Sequence, residues 1–147
     1  MSMTGRVLAL VALIAGFAGA AVPAGIADGA GLPRFALSQF VCETASDPLS
    51  RVVSVTSTMR PIAGTQSMRL RFVLLERAPG QVFRPVKGGD LGRWRQAPSE
   101  TWVVTKLVAN LSAPAAYRFR VSFLWLSRSG LVLGRQTLLG PTCRQPL

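Results

Sequence analysis

The sequence predicts an all-β sandwich of about seven antiparallel strands that follows an N-terminal signal peptide. Two observations predict the sandwich: several short segments alternate apolar and polar residues, and turn-forming residues separate these segments. No segment after residue 30 has a convincing helical pattern. At 147 residues, 49% of them hydrophobic and 16% charged, the chain is long and apolar enough for one domain with a core.

The first thirty residues have the three parts of a secretory signal peptide. A short stretch with one arginine precedes an uncharged apolar stretch, and a small-residue exit follows. We therefore predict a cleaved signal over residues 1–27. The alternative is an uncleaved membrane anchor, because residues 7–26 nearly reach the length of a span. Pro23 and the glycines make that stretch a poor continuous helix.

Two cysteines, Cys42 and Cys143, lie near the two ends of the exported part. In the oxidising compartment that export implies, an even count of two predicts one disulfide. Closing so long a loop would stabilise the fold by up to about 4 to 5 kcal/mol in the chain-entropy model. The alternative is two unrelated buried thiols. The bridge would tie residues 28–50, an N-terminal segment with the first strand, to a sandwich over residues 51–147.

The segment 117–126 has the clearest alternation. Neighbouring side chains of a strand point to opposite faces, so every second residue faces the core. The predicted core set is Tyr117, Phe119, Val121, Phe123 and Trp125, and the set in water is Arg118, Arg120 and Ser122. SRSG at 127–130 predicts a hairpin turn with Gly130 at positive φ, and residues 131–139 predict the returning strand.

Further strands are predicted upstream of this segment. The alternation places seven more side chains in the core: Val53, Val55, Met59, Met68, Leu70, Phe72 and Leu74. A first strand starts at residue 35, and 101–111 forms another whose facing is ambiguous. Residues 78–99 predict a short hairpin with KGGD as its turn, in which Pro85 argues for an edge position.

Four apolar residues break the alternation and would face outward: Val73, Leu75, Leu124 and Leu126. We expect other segments to cover them, such as the strand at 35–42. The alternative is an apolar docking patch.

The segment LSAPAAYRFRV resembles the E–F corner of fibronectin type III and related immunoglobulin-like domains. Leu111, Pro114 and Tyr117 occupy the positions of the corner leucine, proline and tyrosine. Residues 51–76 are similar to the opening two strands of bacterial CARDB-type surface modules, named for a suspected link to cell adhesion. The resemblance implies an immunoglobulin-like sandwich in which the tyrosine hydroxyl bonds back to the backbone of the corner.

The residue types present exclude most catalytic and metal chemistry. Without histidine there is no Ser-His-Asp or Cys-His catalysis, and two cysteines cannot form a four-thiolate zinc site. Five carboxylates lie among turn residues or at strand ends, which is typical of solvated charges: Glu43, Asp47, Glu76, Asp90 and Glu100. We therefore predict a non-enzymatic protein with no cofactor and no metal.

The chain is strongly basic, with 17 lysines and arginines against 6 acidic residues and a net charge of +11. This excess predicts attraction to a polyanion such as an acidic envelope polymer. The alternative is a compositional bias that uses arginine as a solubilising residue, which the single spacing of the charges favours.

The candidate ligand-binding residues belong to the predicted basic hairpin: Arg84, Lys87, Arg93, Trp94 and Arg95. An exposed tryptophan among guanidinium groups can stack on a sugar ring or a base. The alternative, favoured by the alternation, packs Trp94 inward and leaves its neighbours in water.

We therefore expect a secreted or cell-envelope module with a binding or structural, adhesion-like role, which contacts a protein or an anionic polysaccharide at the cell surface. The alternative is a cationic secreted factor that binds anionic envelope polymers or nucleic acid through its net charge. Nucleic acid is the less favoured partner, and signal cleavage would leave no stable membrane span. Binding by net charge would weaken steeply with ionic strength, whereas binding to a shaped site would persist.

Overall fold

The computed structural model describes residues 31–147 of the chain, and Leu32–Leu147 form one compact unit. The predicted signal peptide lies outside the described residues. None of the described segments is a helix long and apolar enough to span a membrane. The described part contains a 3-10 turn at Pro48–Ser50 and nine strands: β1 (Phe35–Glu43), β2 (Val52–Met59), β3 (Ser67–Arg77), β4 (Arg84–Pro85), β5 (Arg95–Pro98), β6 (Trp102–Val108), β7 (Ala115–Leu126), β8 (Val132–Leu139) and β9 (Cys143–Gln145).

The strands form two antiparallel sheets. The three-stranded sheet has the order β1-β2-β6. The six-stranded sheet has the path β4-β3-β7-β8, with β5 also paired to β3 and β9 also paired to β7. The predicted all-β sandwich is confirmed, and it is consistent with an immunoglobulin-like fold. Nine strands are present rather than about seven because β4, β5 and β9 are short additions along the edges of longer strands.

The core lies between the two sheets and follows the predicted alternation. The inward residues of β3 and β7 stand opposite each other, such as Leu70 opposite Phe123 and Phe72 opposite Val121. All twelve predicted core residues are buried. Trp125 stacks on Phe123, with ring centroids 6.3 Å apart, and its indole N–H donates to a backbone carbonyl 2.6 Å away. The hydrogen bond leaves no unpaired donor on this buried ring.

The hairpin predicted for residues 78–99 is wrong. Both β4 and β5 pair with β3 rather than with each other, so together they form one broken strand along the edge of β3. Residues 87–91 leave that line and return to it, since Val86 donates to Leu74 and Gly92 donates to Phe72 only two positions away. We call residues 87–91 the excursion loop. Its glycines reach φ values that other residues rarely adopt, which lets the chain turn out and back.

The four apolar residues that break the alternation are buried, with exposed fractions of 6 to 8%. The proposed cover by the strand at 35–42 is wrong. β1 belongs to the three-stranded sheet, and its Phe35 packs on Phe123 and Trp125, which are on the inner side of β7. Leu124 and Leu126 alternate with those rings and therefore face the opposite side.

The predicted disulfide between Cys42 and Cys143 is confirmed. It joins β1 of one sheet to β9 of the other, with a Cα–Cα distance of 5.4 Å. Beside it, the side-chain amide of Gln145 donates to the backbone oxygen of Glu43 at 3.0 Å. The two described ends of the chain are thus linked both covalently and by a hydrogen bond.

The corner before β7 has the hydrogen bond that the family resemblance implies. The Tyr117 ring is 2% exposed, and its hydroxyl lies 3.2 Å from the backbone oxygen of Ser112. The same hydroxyl donates to Glu76 Oε1 at 2.5 Å. Leu111 is buried in the core cluster, while Pro114 lies at the surface. Burial, and then the bond to the Glu76 carboxylate, raise the pKa of Tyr117 to about 12.

Candidate anion-binding face

The outer face of the six-stranded sheet carries a concentration of arginine side chains. The residues of β3 that alternate with the core set point outward, and residues opposite each other in paired strands point to the same side. The register therefore places seven arginines there, which we call the arginine face: Arg69, Arg71 and Arg77 of β3, Arg118 and Arg120 of β7, Arg135 of β8 and Arg144 of β9.

No carboxylate of residues 31–147 lies on this face. Glu76 is on the inner side of β3 beside Tyr117, and Asp90 is in the excursion loop. Glu43, Asp47 and Glu100 belong to β1 and to loops. The arginine face is therefore uniformly positive, and a polyanion lying on it would meet no like charge.

Aromatic rings support three of these guanidinium groups. The Arg71 guanidinium lies 4.5 Å from the centroid of the Trp94 ring. Arg77 and Arg118 share the Phe83 ring, at 4.7 and 4.2 Å. Such cation–π contacts hold a guanidinium flat on the ring and leave its N–H groups free at the edge. The Nε atoms of Arg71 and Arg118 are shielded from solvent and have no hydrogen-bond partner among the described residues.

A cleft of about 460 Å³ opens beside the excursion loop. Four cations line it: Arg71, Lys87, Arg93 and Arg120. The first and last of these come from the sheet, and the other two come from the loop region. Since the sheet and the loop contribute cations to the same space, an acidic group in the cleft could accept hydrogen bonds from both sides.

An ion pair attaches the excursion loop to the three-stranded sheet. Lys106 stands opposite Val55 in the three-stranded sheet, so it faces the gap between the sheets, and it pairs with Asp90 of the loop. The hydrogen bond from Lys106 lowers the pKa of Asp90, and the positive charge of Arg95 acts in the same direction. This is the only ion pair within residues 31–147. It ties the loop to the second sheet and so restrains Lys87 and Arg93 on the cleft side.

The five predicted ligand-binding residues divide into two groups. Lys87 and Arg93 line the cleft, and Trp94 supports Arg71. The interpretation with Trp94 packed inward is wrong, because its side chain is 38% exposed and lies outside the core cluster. Arg95 stands opposite buried Leu70, and Arg84 stands opposite Glu76. Arg84 and Arg95 therefore face the other side of this edge and do not line the cleft.

Arg71 and Arg120 were not predicted as site residues. The alternation indicated only that they face water. Their role depends on the register, which brings Arg120 opposite Val73 and so beside Arg71, and on the excursion loop that folds next to both. A search for arginines at alternate positions in two adjacent strands would have found this pair.

The outer face of the three-stranded sheet has the opposite character. Glu43, which stands opposite Val52 at the end of β1, is the one charged side chain among its outward residues in the part of the chain that the structure describes. The other outward side chains are uncharged: Ala36, Ser38, Val41, Val52, Ser54, Thr56, Thr58, Val103, Thr105 and Leu107. Thr56 and Thr105 join hydroxyls across two strands at 2.7 Å. The positive charge of the domain is therefore concentrated on one of its two broad faces.

No family model, curated protein or solved structure matches this chain.

Proposed function

We propose that this protein is a non-catalytic binding module of the cell envelope that holds an anionic polymer on the arginine face. The observation that carries the proposal is the uniform charge of that face, with the cleft of four cations beside the excursion loop. Guanidinium groups bind carboxylates, sulfates and phosphates through paired, charge-assisted hydrogen bonds. The terminal N–H groups of Arg71 and Arg118, held at the edges of the Trp94 and Phe83 rings, would find acceptors in such a polymer.

Export is part of the proposal. A disulfide is compatible with an oxidising compartment, since cytosolic thiols are kept reduced. The signal-like pattern of residues 1–27 and the resemblance of residues 51–76 to CARDB-type modules also favour an adhesion-like envelope role. Intact-mass measurement on secreted and cell-bound fractions tests this part. A secreted species lacking about 20 to 30 residues would support it, and a full-length, fully reduced species would contradict it.

A second candidate function is a cationic factor whose net charge of +11, wherever it lies, attracts anionic envelopes. The two candidate functions predict different losses of binding when the same number of charges is removed from different places. Two variants that each remove two charges separate them. The face variant carries Arg71→Ser and Arg120→Ser in the cleft, and the control carries Arg84→Ser and Arg128→Ser at exposed positions outside it.

Heparin, a sulfated polysaccharide, serves as the probe polymer, with binding measured over a range of salt concentrations. We expect the face variant to bind about tenfold or more weakly, because each removed guanidinium loses a charge-assisted hydrogen bond. We expect the control variant to stay within about twofold of the wild type, since exposed charges away from a contact contribute little. Equal weakening in both variants would favour action by net charge, and unchanged binding of the face variant would exclude the proposed site.

Phe83→Leu gives a further test that leaves every charge in place. The leucine keeps an apolar side chain but removes the ring on which Arg77 and Arg118 lie. Each contact of this kind contributes about 0.5 to 1 kcal/mol at an exposed site. Weaker heparin binding at an unchanged net charge would support ordered guanidinium groups as the binding element. Unchanged binding would contradict that role for the ring.

A further inference from the structure

A second cavity lies at the end of the arginine face nearest the disulfide. Arg77 of β3 stands opposite Ala116 of β7, and Ala116 stands opposite Arg144 of β9. Adjacent strands are about 4.8 Å apart, so the backbones of the two arginines are separated by about 10 Å. Between them the side chain is only a methyl group. The register thus places the side chains of Arg77 and Arg144 on either side of the small Ala116. We call this arrangement the arginine pincer.

The pincer has rigid walls and encloses a cavity of about 510 Å³. Pro79, Pro114 and Pro146 line it from three different segments. The turn that carries Pro79 is closed by a 3.0 Å bond from Gln81 N–H to the Ala78 oxygen, and its Gly80 has φ +72°. Proline followed by a glycine at positive φ forms a well-defined turn. The volume is within the range of small-molecule sites.

The lining is positive and has open hydrogen-bonding groups. It contains Arg77 and Arg144 but no acidic residue, and neither arginine side chain has a hydrogen bond or ion pair to another described residue. The Phe83 ring holds Arg77 in place at 4.7 Å. Gln145 also lines the cavity and is 2% exposed. Its side-chain amide N–H donates to the backbone oxygen of Glu43, while its Oε1 is buried and has no hydrogen-bond partner among residues 31–147.

These groups define the chemistry of a ligand. Two planar guanidinium groups favour a planar carboxylate, which each can bind through paired N–H donors. The free acceptor of Gln145 favours a hydroxyl on the same molecule. The apolar rings of three prolines offer non-polar surface to the C–H groups of a sugar. We propose that the arginine pincer binds the carboxylate of a uronic acid, either as a free sugar acid or as one unit of an acidic polysaccharide.

This inference names a substrate class for the polymer-binding function, but its test leaves the cleft arginines intact. Glucuronate is titrated into the full, disulfide-closed protein while the backbone amide resonance of Ala116 is followed by NMR. We expect a saturable shift in the wild type. Arg144→Ser should weaken glucuronate binding about tenfold or more, because one guanidinium arm is lost. Arg128→Ser, at an exposed position outside both the arginine face and the cavity, is the matched control and should change it less than about twofold.

Three further ligands separate the sources of binding. Glucose lacks the carboxylate, and equal binding of glucose would overturn the proposal. Inorganic phosphate that binds as tightly as glucuronate would show a general anion site and overturn the uronic acid assignment. A uronic acid oligosaccharide that binds no more tightly than glucuronate would identify the free sugar acid as the ligand, and tighter binding would identify the polymer unit.

The same variants distinguish this inference from the proposed function. If glucuronate does not bind in the pincer but the cleft does bind polymer, Arg144→Ser will bind glucuronate like the wild type, and the face variant will lose heparin binding. If the cleft does not bind polymer but the pincer does bind glucuronate, the face variant will bind heparin and glucuronate like the wild type, and Arg144→Ser will lose glucuronate binding.

Discussion

Replacing Tyr117 with phenylalanine tests the energetics of the corner before β7. The change keeps the buried ring and removes only the hydroxyl, which donates to Glu76 Oε1 at 2.5 Å and lies 3.2 Å from the Ser112 oxygen. Tyr117 is the single tyrosine of the chain, so the absorbance of its ionised form can be assigned without ambiguity. Both the stability of the variant and the ionisation of the native residue can therefore be measured.

Two magnitudes describe this hydroxyl: the contribution of its hydrogen bond at neutral pH, and the stability that the fold loses when the hydroxyl ionises. A hydrogen bond to a charged acceptor stabilises a fold by about 1.5 to 3 kcal/mol. Burial and the Glu76 carboxylate raise the pKa of Tyr117 from 10.0 to about 12, and a shift of about 2 units corresponds to about 3 kcal/mol. Because the folded pKa lies above the unfolded one, this stabilisation is fully present below about pH 10. It is lost as the pH rises through about 12.

Urea unfolding and alkaline titration check these values. At pH 7 we expect Tyr117→Phe to lower the free energy of unfolding by about 2 to 3 kcal/mol. The difference between wild type and variant should shrink as the pH rises from about 10 towards 12. Glu76→Gln is the control: it removes the carboxylate but not the burial, so the pKa of Tyr117 should fall only part of the way. A native Tyr117 that titrates near 10 would refute this account of the corner.

Three further predictions concern stability. Cys42→Ser with Cys143→Ser opens a loop of 101 residues and should cost up to about 4 to 5 kcal/mol in urea unfolding; reductant should reproduce the loss in the wild type but not affect the variant. Asp90→Asn should cost less than about 1 kcal/mol, because the carboxylate is 44% exposed. Since the pKa of Asp90 is lowered from 3.8, the advantage of the wild type should vanish as the pH falls through the folded value, and a persistent advantage in acid would contradict the pair. Gly130→Ala, at φ +82° with open space around it, should cost about 1 to 2 kcal/mol through backbone strain alone, and unchanged thermal unfolding would exclude that strain.

The core was predictable because β3 and β7 lie in the middle of their sheet. A central strand packs one face on the opposite sheet along its whole length, so the two-residue period appears in full. The same position explains why the period failed at Val73 and Leu124. A central strand is flanked on both sides, and long arginine side chains and aromatic rings lie on its outer face. These residues are therefore buried although they face away from the core.

The hairpin was not predictable from local signals. Proline, paired glycines and short β-like runs occur both in hairpins and in edge strands interrupted by a loop. The difference depends on the partner of each run, and both β4 and β5 found the free edge of β3. The disulfide needed no such information, because two cysteines allow one pairing.

The candidate site was predictable only in the part that is local in sequence. Lys87 and Arg93 lie in one short basic segment and could be singled out there. Arg71 and Arg120 are far apart in the chain and look like ordinary solvated charges in their own strands. Only the antiparallel register and the return of the excursion loop bring the four cations together.

The uneven charge of the two faces makes the domain an electric dipole along the normal to its sheets. In the field of a negatively charged surface, such a molecule is turned by torque before it makes contact, and it arrives with the arginines first. The outer side chains of β1, β2 and β6, which are uncharged apart from Glu43, then point away from that surface. A layer of these molecules would therefore mask the negative charge of that surface and replace it with a coat of hydroxyl and small apolar groups that carries one carboxylate, Glu43, per molecule.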